Sequence, residues 1–250
     1  MKSKEIIMSN DIEKLNIYPI SDVHFGSNQC DAFEFHKYIK RIEKDPNAVA
    51  FILGDLFECN SIAMIEEKVQ LMARILMPIK DKIAVIVYGN HELKLKRKTN
   101  IDVIIDLAVE MDLDPDIIFE DGVYVFLQFG NTKAHDNRPL CYQLYVTHGA
   151  GKAKTNGGKV DSLEDRAKNI PTADIVIGGH FHTPFAVRES IPRVDESNRK
   201  IQYKDRLIVE SNSWLEYGGY AERAGFPPTS LTPPIISLNG QGKKAFHCSI

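Results

Sequence analysis

Five short apolar segments occupy the first 180 residues and constrain the fold more than any other feature. They are rich in Val, Ile and Tyr and almost continuously hydrophobic, as strands buried on both faces of a sheet are. Segments with helical periodicity lie between them, and this alternation predicts right-handed crossovers and an α/β sheet. The predicted strands cover residues 15–21, 49–53, 83–88, 142–147 and 175–177. The predicted helices cover residues 32–43, 61–77, 101–110 and 162–168, with Ser61 as the N-cap of the second.

The chain changes character after residue 117, where strands with turn-rich connections follow. A strand is predicted at 123–129, after the Asp121-Gly122 turn, and residues 143–146 are expected to pair with it. Further strands are predicted at 185–189, 201–210, 235–238 and 244–248. A second, more antiparallel sheet packed against the first accounts for them. We therefore expect one domain over residues 1–250, with a core at 15–185 and C-terminal strands at 186–250 that complete the second sheet.

The composition argues against several classes of protein. A chain of 250 residues that is 43% hydrophobic and 26% charged has ordinary globular composition. The net charge of -3 gives no global attraction to nucleic acid, so any basic surface must be local. No apolar segment is long enough to span a bilayer, and no signal peptide is recognisable. The scattered Cys30, Cys59, Cys141 and Cys248 argue against a disulfide framework, which favours a soluble cytoplasmic protein without a membrane partner.

Each of the five predicted strands ends in side chains that commonly bind metal ions. In open α/β sheets the functional crevice lies beyond the carboxyl ends of the strands, so five such ends side by side would form one cluster. A single histidine in such a place is more often an ordinary polar residue, but coincidence at five strand ends argues against that interpretation. The side chains are Asp22, His24, Asp55, Asn90, His91, His148, His180 and His182.

These side chains offer carboxylate, amide and imidazole donors and no thiolate. The mixture suits Mn, Fe, Zn or Ni rather than calcium or a structural zinc. The donors are too many for one tetrahedral ion and match two ions that share a bridging carboxylate. Two ions about 3.5–4 Å apart can activate a bridging hydroxide and neutralise phosphate oxygens during in-line attack. The pattern therefore predicts metal-dependent hydrolysis of a phosphate ester.

The order of these residues resembles the signature of the calcineurin-like metallophosphoesterase superfamily. All five blocks of that signature are present: Asp22-Val23-His24, Gly54-Asp55, Gly89-Asn90-His91-Glu92, His148-Gly149 and Gly179-His180-Phe181-His182. The resemblance implies the fold of that superfamily, a four-layer α/β/β/α sandwich in which two mixed sheets are flanked by helices. It also implies two divalent metal ions, with manganese expected first and iron, zinc or nickel as alternatives.

The resemblance implies a role for each side chain as well. The first ion would be held by Asp22, His24 and His182, and the second by Asn90, His148 and His180. Asp55 would bridge both ions. His91 would bind neither ion but would orient the phosphate and protonate the leaving oxygen. The segment 212–214 loosely resembles the Asn/Ser loop that many members place near the site.

Departures from the family pattern bear on the substrate. The protein Ser/Thr phosphatase branch has an arginine shortly after Gly-Asp, where this chain has Leu56-Phe57-Glu58, which argues against a protein phosphatase. The lipid-precursor pyrophosphatase branch usually lacks the histidine that His91 provides. The whole chain looks closest to phage and bacterial phosphoesterases that are likened to DNA double-strand-break repair nucleases. A phosphodiester, including DNA, is the expected substrate, with a small-molecule phosphomonoesterase or a non-catalytic metal-binding scaffold as alternatives.

Two basic segments directly follow metal-ligand motifs. The first lies at residues 94–98 and the second at residues 152–159, in a glycine-rich loop. Such charge runs are as often solvated surface as functional. In the functional interpretation they rim the metal site and steer a polyanion. The substrate-binding residues predicted in this way are Lys96, Arg97, Lys152 and Lys154.

Overall fold

A computed structural model describes residues 1–60, 64–130 and 139–250 of the chain. The strands are β1 (Lys2–Met8), β2 (Lys14–Ile20), β3 (Ala48–Ile52), β4 (Ile83–Val87), β5 (Ile118–Phe119), β6 (Val123–Phe129), β7 (Leu140–Val146), β8 (Ile175–Gly178), β9 (Phe185–Asp195), β10 (Lys200–Glu210), β11 (Ile235–Asn239) and β12 (Phe246–Ser249). The α-helices are α1 (Ala32–Lys44), α2 (Ile65–Leu76), α3 (Asn90–Thr99), α4 (Val103–Met111), α5 (Asn156–Lys168) and α6 (Gly219–Arg223). Short 3-10 helices cover Met77–Lys82 and Pro115–Ile117. Among these described helices, none combines the length and apolar character that crossing a membrane requires.

The strands form two six-stranded mixed sheets that pack face to face. The first sheet has the order β12-β11-β2-β3-β4-β5 and the second the order β1-β6-β7-β8-β10-β9. Alternate residues of each central strand explain the layering, because successive side chains point to opposite faces. Ile17 and Phe51 of the first sheet pack with Ile177 of the second between the sheets. Tyr18 and Ile52 face the opposite way, against helices α1, α2 and α4.

Helix α5 covers the outer face of the second sheet, where Leu163 and Ala167 pack against Val176 and Ile208. The order of layers is therefore helices, sheet, sheet and helix. This arrangement confirms the predicted fold class of two mixed sheets flanked by helices. It also explains why the central strands are apolar along their whole length, since both faces of each are covered.

Most predicted elements lie within one or two residues of the observed ones, and the exceptions have physical reasons. Strand β1 was missed because it is an edge strand that begins with charged and polar residues and has no fully buried side chain. Helix α5 begins six residues earlier than predicted, because Thr155 caps it and accepts a hydrogen bond from Gly158 N. Helix α3 was also missed, since its polar sequence buries only Glu92 and Leu95. Ser61, the predicted N-cap of the second helix, lies outside the described residues.

Two features of the topology differ from the predictions. The C-terminal strands divide between the sheets, since β11 pairs antiparallel with β2 of the first sheet while β10 pairs with β8 of the second. Ile236 and Leu238 of β11 thereby reach the inter-sheet core. The five ligand-bearing strand ends also belong to both sheets: β2, β3 and β4 are neighbours in one, and β7 and β8 in the other. The site therefore lies where the carboxyl ends of strands from both sheets meet, rather than at the strand ends of a single sheet.

Candidate metal centre

The loops after these strands hold their polar side chains in strained backbone conformations. Nine non-glycine residues among those described have positive φ, and five of them are the predicted ligands Asp22, His24, Asp55, His180 and His182. Their φ values lie between 47° and 80°, a region that is costly for residues with a Cβ. Such strain concentrates at functional sites, where surrounding structure stabilises it.

A first group of donors consists of Asp22 and His24, from the loop after β2, and His182, from the loop after β8. Oδ1 of Asp22 lies 3.1 Å from Nε2 of His182, and the Nε2 atoms of His24 and His182 are 3.4 Å apart. The three donor atoms lie within 4.8 Å of one another. One ion can therefore contact all three side chains after small adjustments.

A second group consists of Asp55, His148 and His180, with the amide of Asn90 beside it. Oδ1 of Asn90 lies 3.1 Å from Nε2 of His148 and 2.8 Å from Nδ1 of His180. Backbone carbonyls hold the other ring nitrogens, because Nδ1 of His148 is 2.6 Å from Leu53 O and Nε2 of His180 is 2.9 Å from Gly151 O. Such second contacts set the tautomer and aim the free nitrogen at the ion.

Backbone hydrogen bonds join the two groups across the sheets. Asp22 N donates to Gly54 O and His24 N donates to Asp55 O, at 3.0 and 2.9 Å. From the second sheet, His180 N donates to Oδ2 of Asp22 at 2.8 Å. Asp55 thus lies beside both groups, as a bridging carboxylate must. The structure brings together all seven side chains that the resemblance assigns to metal binding.

Two buried polar atoms of the first donor group indicate that its residues suit a divalent cation. Oδ1 of Asp22 and Nδ1 of His24 are buried and have no hydrogen-bond partner within the described part of the chain. A buried carboxylate oxygen without a partner is destabilising, so a cation at Oδ1 of Asp22 would satisfy it. Burial and the neighbouring His182 lower the pKa of His24 to about 4, which keeps its imidazole in the neutral, metal-binding form.

His91 lies at the edge of these groups and has a carboxylate partner that sequence reasoning missed. Its Nε2 is 4.0 Å from Oδ2 of Asp55, and its Nδ1 is 3.8 Å from Oε1 of Glu58. The interaction with Glu58 raises the pKa of His91 against the opposing effect of burial. Glu58 follows Asp55 by three residues, and an acidic residue so close to a strand-end motif was the signal that could have identified it.

Glu92 connects the start of α3 to the loop that carries Asp55. Its side chain is 1% exposed and accepts hydrogen bonds from the backbone N–H groups of Asp55, Gly89 and Phe57, at 2.9, 3.0 and 3.2 Å. Burial and the charge of Asp55 raise the pKa of Glu92 to about 7. The same carboxylate thus caps α3 and fixes the loop that carries Asp55.

The segment 212–214 also supports the site, through contacts with the backbone of Asp22. Oγ of Ser213 and the backbone N–H of Trp214 both donate to the carbonyl oxygen of Asp22, at 3.0 and 3.1 Å. Asn212 is buried and donates to Leu231 O. These contacts orient the backbone of Asp22 and add no further metal donor.

The two groups lie at the floor of a cavity of about 980 Å³. Of the predicted substrate-binding residues, Lys152 and Lys154 line this cavity, as does the buried Lys159. Lys96 and Arg97 are not among the described lining residues. The cavity continues past the metal groups to Gln29 and other polar side chains, so it has room for more than a phosphate group.

Comparisons with known proteins agree with this geometry. The family model described as calcineurin-like phosphoesterase matches residues 15–184. A search of the curated proteins finds no significant match. Among solved structures, GAP50, the anchor in the inner membrane complex of Plasmodium, is 9% identical with a TM-score of 0.51, and the match covers 94% of this chain and 84% of that one. Vps29 from Cryptosporidium parvum is 14% identical with a TM-score of 0.46, over 95% of this chain and 98% of that one.

At such low identity the solved structures bear on the fold alone. The family match is a stronger finding, because it spans more than half of the chain and contains all five ligand motifs. Its members are associated with hydrolysis of phosphate esters and bind divalent metal ions. This chain belongs to the calcineurin-like phosphoesterase family.

Proposed function

We propose that this protein hydrolyses a phosphodiester with two divalent metal ions, for which manganese is the first candidate. The observation that carries the proposal is the pair of donor groups at the cavity floor, where the buried Oδ1 of Asp22 makes no hydrogen bond among the described residues and lies 3.1 Å from Nε2 of His182. Asp22, His24 and His182 would hold one ion, Asn90, His148 and His180 the other, and Asp55 would contact both. Ions bound there supply Lewis acidity toward the phosphate oxygens.

The chain's own side chains have separate tasks in this reaction. His91 faces the cavity beside the donor groups, where it can orient the phosphate. His91 also has the properties of a general acid, since Glu58 raises its pKa and its ring remains 30% exposed toward the cavity. Protonation of the leaving oxygen by such a group contributes about 10²–10⁴-fold to a rate. An alkyl ester benefits most from this proton, because its alkoxide leaving group is poor.

The preference for a diester over a monoester is supported by the space around the groups. A diester places organic substituents on both sides of phosphorus, and the cavity extends from the donor groups toward Gln29 on one side and Lys152 on the other. Nucleic acid is the polymeric diester to test first, because the three lysines of the second basic segment lie in the cavity wall. A small phosphomonoester requires neither extension.

The test is metal-dependent turnover of bis(p-nitrophenyl) phosphate compared with p-nitrophenyl phosphate. We expect Mn²⁺ to support hydrolysis of the diester in preference to the monoester, and Asp55→Asn to lose both bound ions and the activity, as metal analysis of the purified variant would show. Preference for the monoester would replace the diesterase proposal. Stoichiometric metal without turnover of either compound would indicate a non-catalytic scaffold.

Assays with linear, circular and single-stranded DNA then distinguish a nuclease from an enzyme that hydrolyses only small diesters. Cleavage of circular DNA would establish endonuclease activity, and cleavage restricted to linear or single-stranded DNA would indicate attack at strand ends. Turnover of the chromogenic diester with all three DNAs intact would assign the enzyme to small-molecule diesters. The same Asp55→Asn variant controls for a contaminating nuclease.

A further inference from the structure

One wall of the cavity is formed by residues 215–229, which we call the strap. Its residues Tyr217, Ala224 and Phe226 line the cavity. The strap begins with a backbone bridge between Leu215 and Cys30, and Glu216 N donates to Gln29 O at 2.8 Å. It is therefore attached to the loop at residues 27–30, another part of the cavity wall.

The other attachment of the strap involves Lys154 of the second basic segment. Nζ of Lys154 donates to Ala224 O at 2.8 Å and lies 5.2 Å from the ring centroid of Phe226. The strap is thus connected to two separate loops that also line the cavity. A volume of about 980 Å³ bounded in this way is at the upper end of the range for small-molecule pockets, about 300–1,000 Å³. A compact substrate fits this space better than a continuous duplex.

Lysines in this wall carry positive charge that no carboxylate neutralises by contact. Lys152 is exposed and has no ion pair or hydrogen bond within the described residues. Lys154 contacts a carbonyl and a ring, and Lys159 donates to the hydroxyl of Thr183. None of the three forms an ion pair with a described carboxylate. An ammonium group of this kind is a suitable partner for a phosphate or carboxylate of the substrate.

The position of Lys152 relates this charge to the metal groups. The preceding residue, Gly151, accepts the hydrogen bond from Nε2 of His180 at 2.9 Å. Lys152 therefore follows directly after a residue in contact with a predicted ligand, yet its side chain belongs to the wall rather than to either donor group. Of the carboxylates that line the cavity, Asp55 and Glu58 lie at the floor and Glu216 lies on the strap.

We propose that Lys152, with Lys154 beside it, forms a second anion subsite, so that the substrate is a compact phosphodiester with a further anionic group, such as a phosphorylated nucleotide. This inference rests on the proposed diesterase function. The scissile phosphate occupies the floor, and the second anion lies against the wall at Lys152, which has no partner among the described residues. Partial enclosure by the strap strengthens the attraction, because charges interact more strongly away from bulk water.

The test uses two chromogenic diesters that differ by one phosphate. Thymidine 5′-(p-nitrophenyl phosphate) has only the scissile phosphate, and its 3′-phosphorylated form has a second anion. We expect the native enzyme to show a KM about tenfold lower for the phosphorylated compound, the factor typical of one charge-assisted contact. Lys152→Met keeps the length of the side chain without its charge, and it should abolish this difference by raising KM for the phosphorylated compound far more than KM for the plain compound.

The matched control is Lys98→Met, which removes a lysine that is not among the described lining residues. It should retain the full preference for the phosphorylated compound. Equal losses on both compounds in Lys152→Met would place Lys152 at the scissile phosphate and overturn the proposal. Absence of any preference in the native enzyme would also overturn it.

Binding separates a failure of this inference from a failure of the proposed function. Should neither diester be hydrolysed, calorimetry with thymidine 3′,5′-bisphosphate and thymidine 5′-monophosphate tests the subsite directly. Tighter binding of the bisphosphate that Lys152→Met removes would support the subsite even in an inactive protein. Equal affinities of the native protein for both nucleotides would refute it.

Discussion

The two basic segments have similar sequences and similar positions relative to ligand motifs, but they lie in different environments. In the first segment, Nζ of Lys96 is 3.0 Å from Asp102 and also contacts Glu120, and it lies over the ring of Tyr88. In the second, Lys152 and Lys154 line the cavity without a carboxylate partner among the described residues. Lys96 of the first segment is thus neutralised by neighbouring carboxylates, whereas Lys152 and Lys154 of the second are available to a substrate.

The conformation between motif and lysine produces this difference. Helix α3 begins at Asn90 itself, so a rise of about 1.5 Å per residue places Lys96 roughly 9 Å further along the helix axis. The chain after His148 remains irregular as far as Thr155 and follows the cavity wall. A charged residue that follows a ligand motif in the sequence therefore lies near the site only when the backbone between them also follows the site.

The largest effect is expected at the start of α3, where this helix still contributes to the site. His91→Asn should lower kcat by about 10²–10⁴-fold while both metal ions remain bound, because the proposed mechanism assigns His91 to the leaving oxygen and to neither ion. Steady-state kinetics and metal analysis of the same preparation measure both quantities. The exposed His36 on α1 offers a control, and His36→Asn should change neither. Loss of metal in His91→Asn would mean that His91 itself is a metal ligand.

A smaller effect with a characteristic pH signature is expected at Glu58. Its carboxylate raises the pKa of His91, so the protonated, proton-donating form persists to higher pH than for an ordinary histidine. Glu58→Gln lowers that pKa, and the alkaline limb of the kcat profile should move to lower pH while kcat below the limb changes only a few-fold. Glu216→Gln, a change at a cavity carboxylate on the strap, should leave the limb in place. An unshifted limb in Glu58→Gln would show that His91 titrates independently of Glu58.

The smallest effect is expected in the first basic segment. Lys96→Glu combined with Arg97→Glu should change hydrolysis of bis(p-nitrophenyl) phosphate by less than about twofold, since exposed ion pairs contribute little and neither residue is among the described lining residues. We expect a similarly small change with oligonucleotides, measured at low ionic strength, where long-range attraction is greatest. A marked loss with oligonucleotides alone would support the steering role that the sequence predicts, and would make the two segments alike in function.

Much of the fold could be predicted from local patterns. Continuous apolar segments separated by helical periodicity identify buried parallel strands, and Val123–Phe129 was predicted with its observed bounds. The elements that escaped prediction lack such patterns. Strand β1 is an edge strand that begins with charged and polar residues and has no fully buried side chain. Helix α3 has few apolar residues to indicate a helix. Their positions depend on contacts with distant parts of the chain.

In the site, too, some residues could be predicted from local sequence patterns and others could not. Asp22, Asp55 and the histidines could be found because few side chain types bind metal ions and each stands at the end of a predicted strand. Glu210 could not be found in this way, and Ser213 was indicated only by the loose resemblance of segment 212–214 to the Asn/Ser loop of the family. Ser213 acts on Asp22 from 191 positions away in sequence, and Glu210 supports the loop between His180 and His182 by accepting a hydrogen bond from Phe181 N at 2.9 Å. Such roles depend on tertiary proximity rather than on residue type.

The sequence alone determined the family, the sandwich of two mixed sheets and the chemistry of the donors, because strand periodicity and the choice of metal-binding side chains are local properties. Only the tertiary structure decided that the donors come from two sheets, that Glu58 accompanies His91, and which lysines line the cavity. Those features depend on the packing of sheet edges and on the path of each loop, which arise from contacts between residues far apart in the chain.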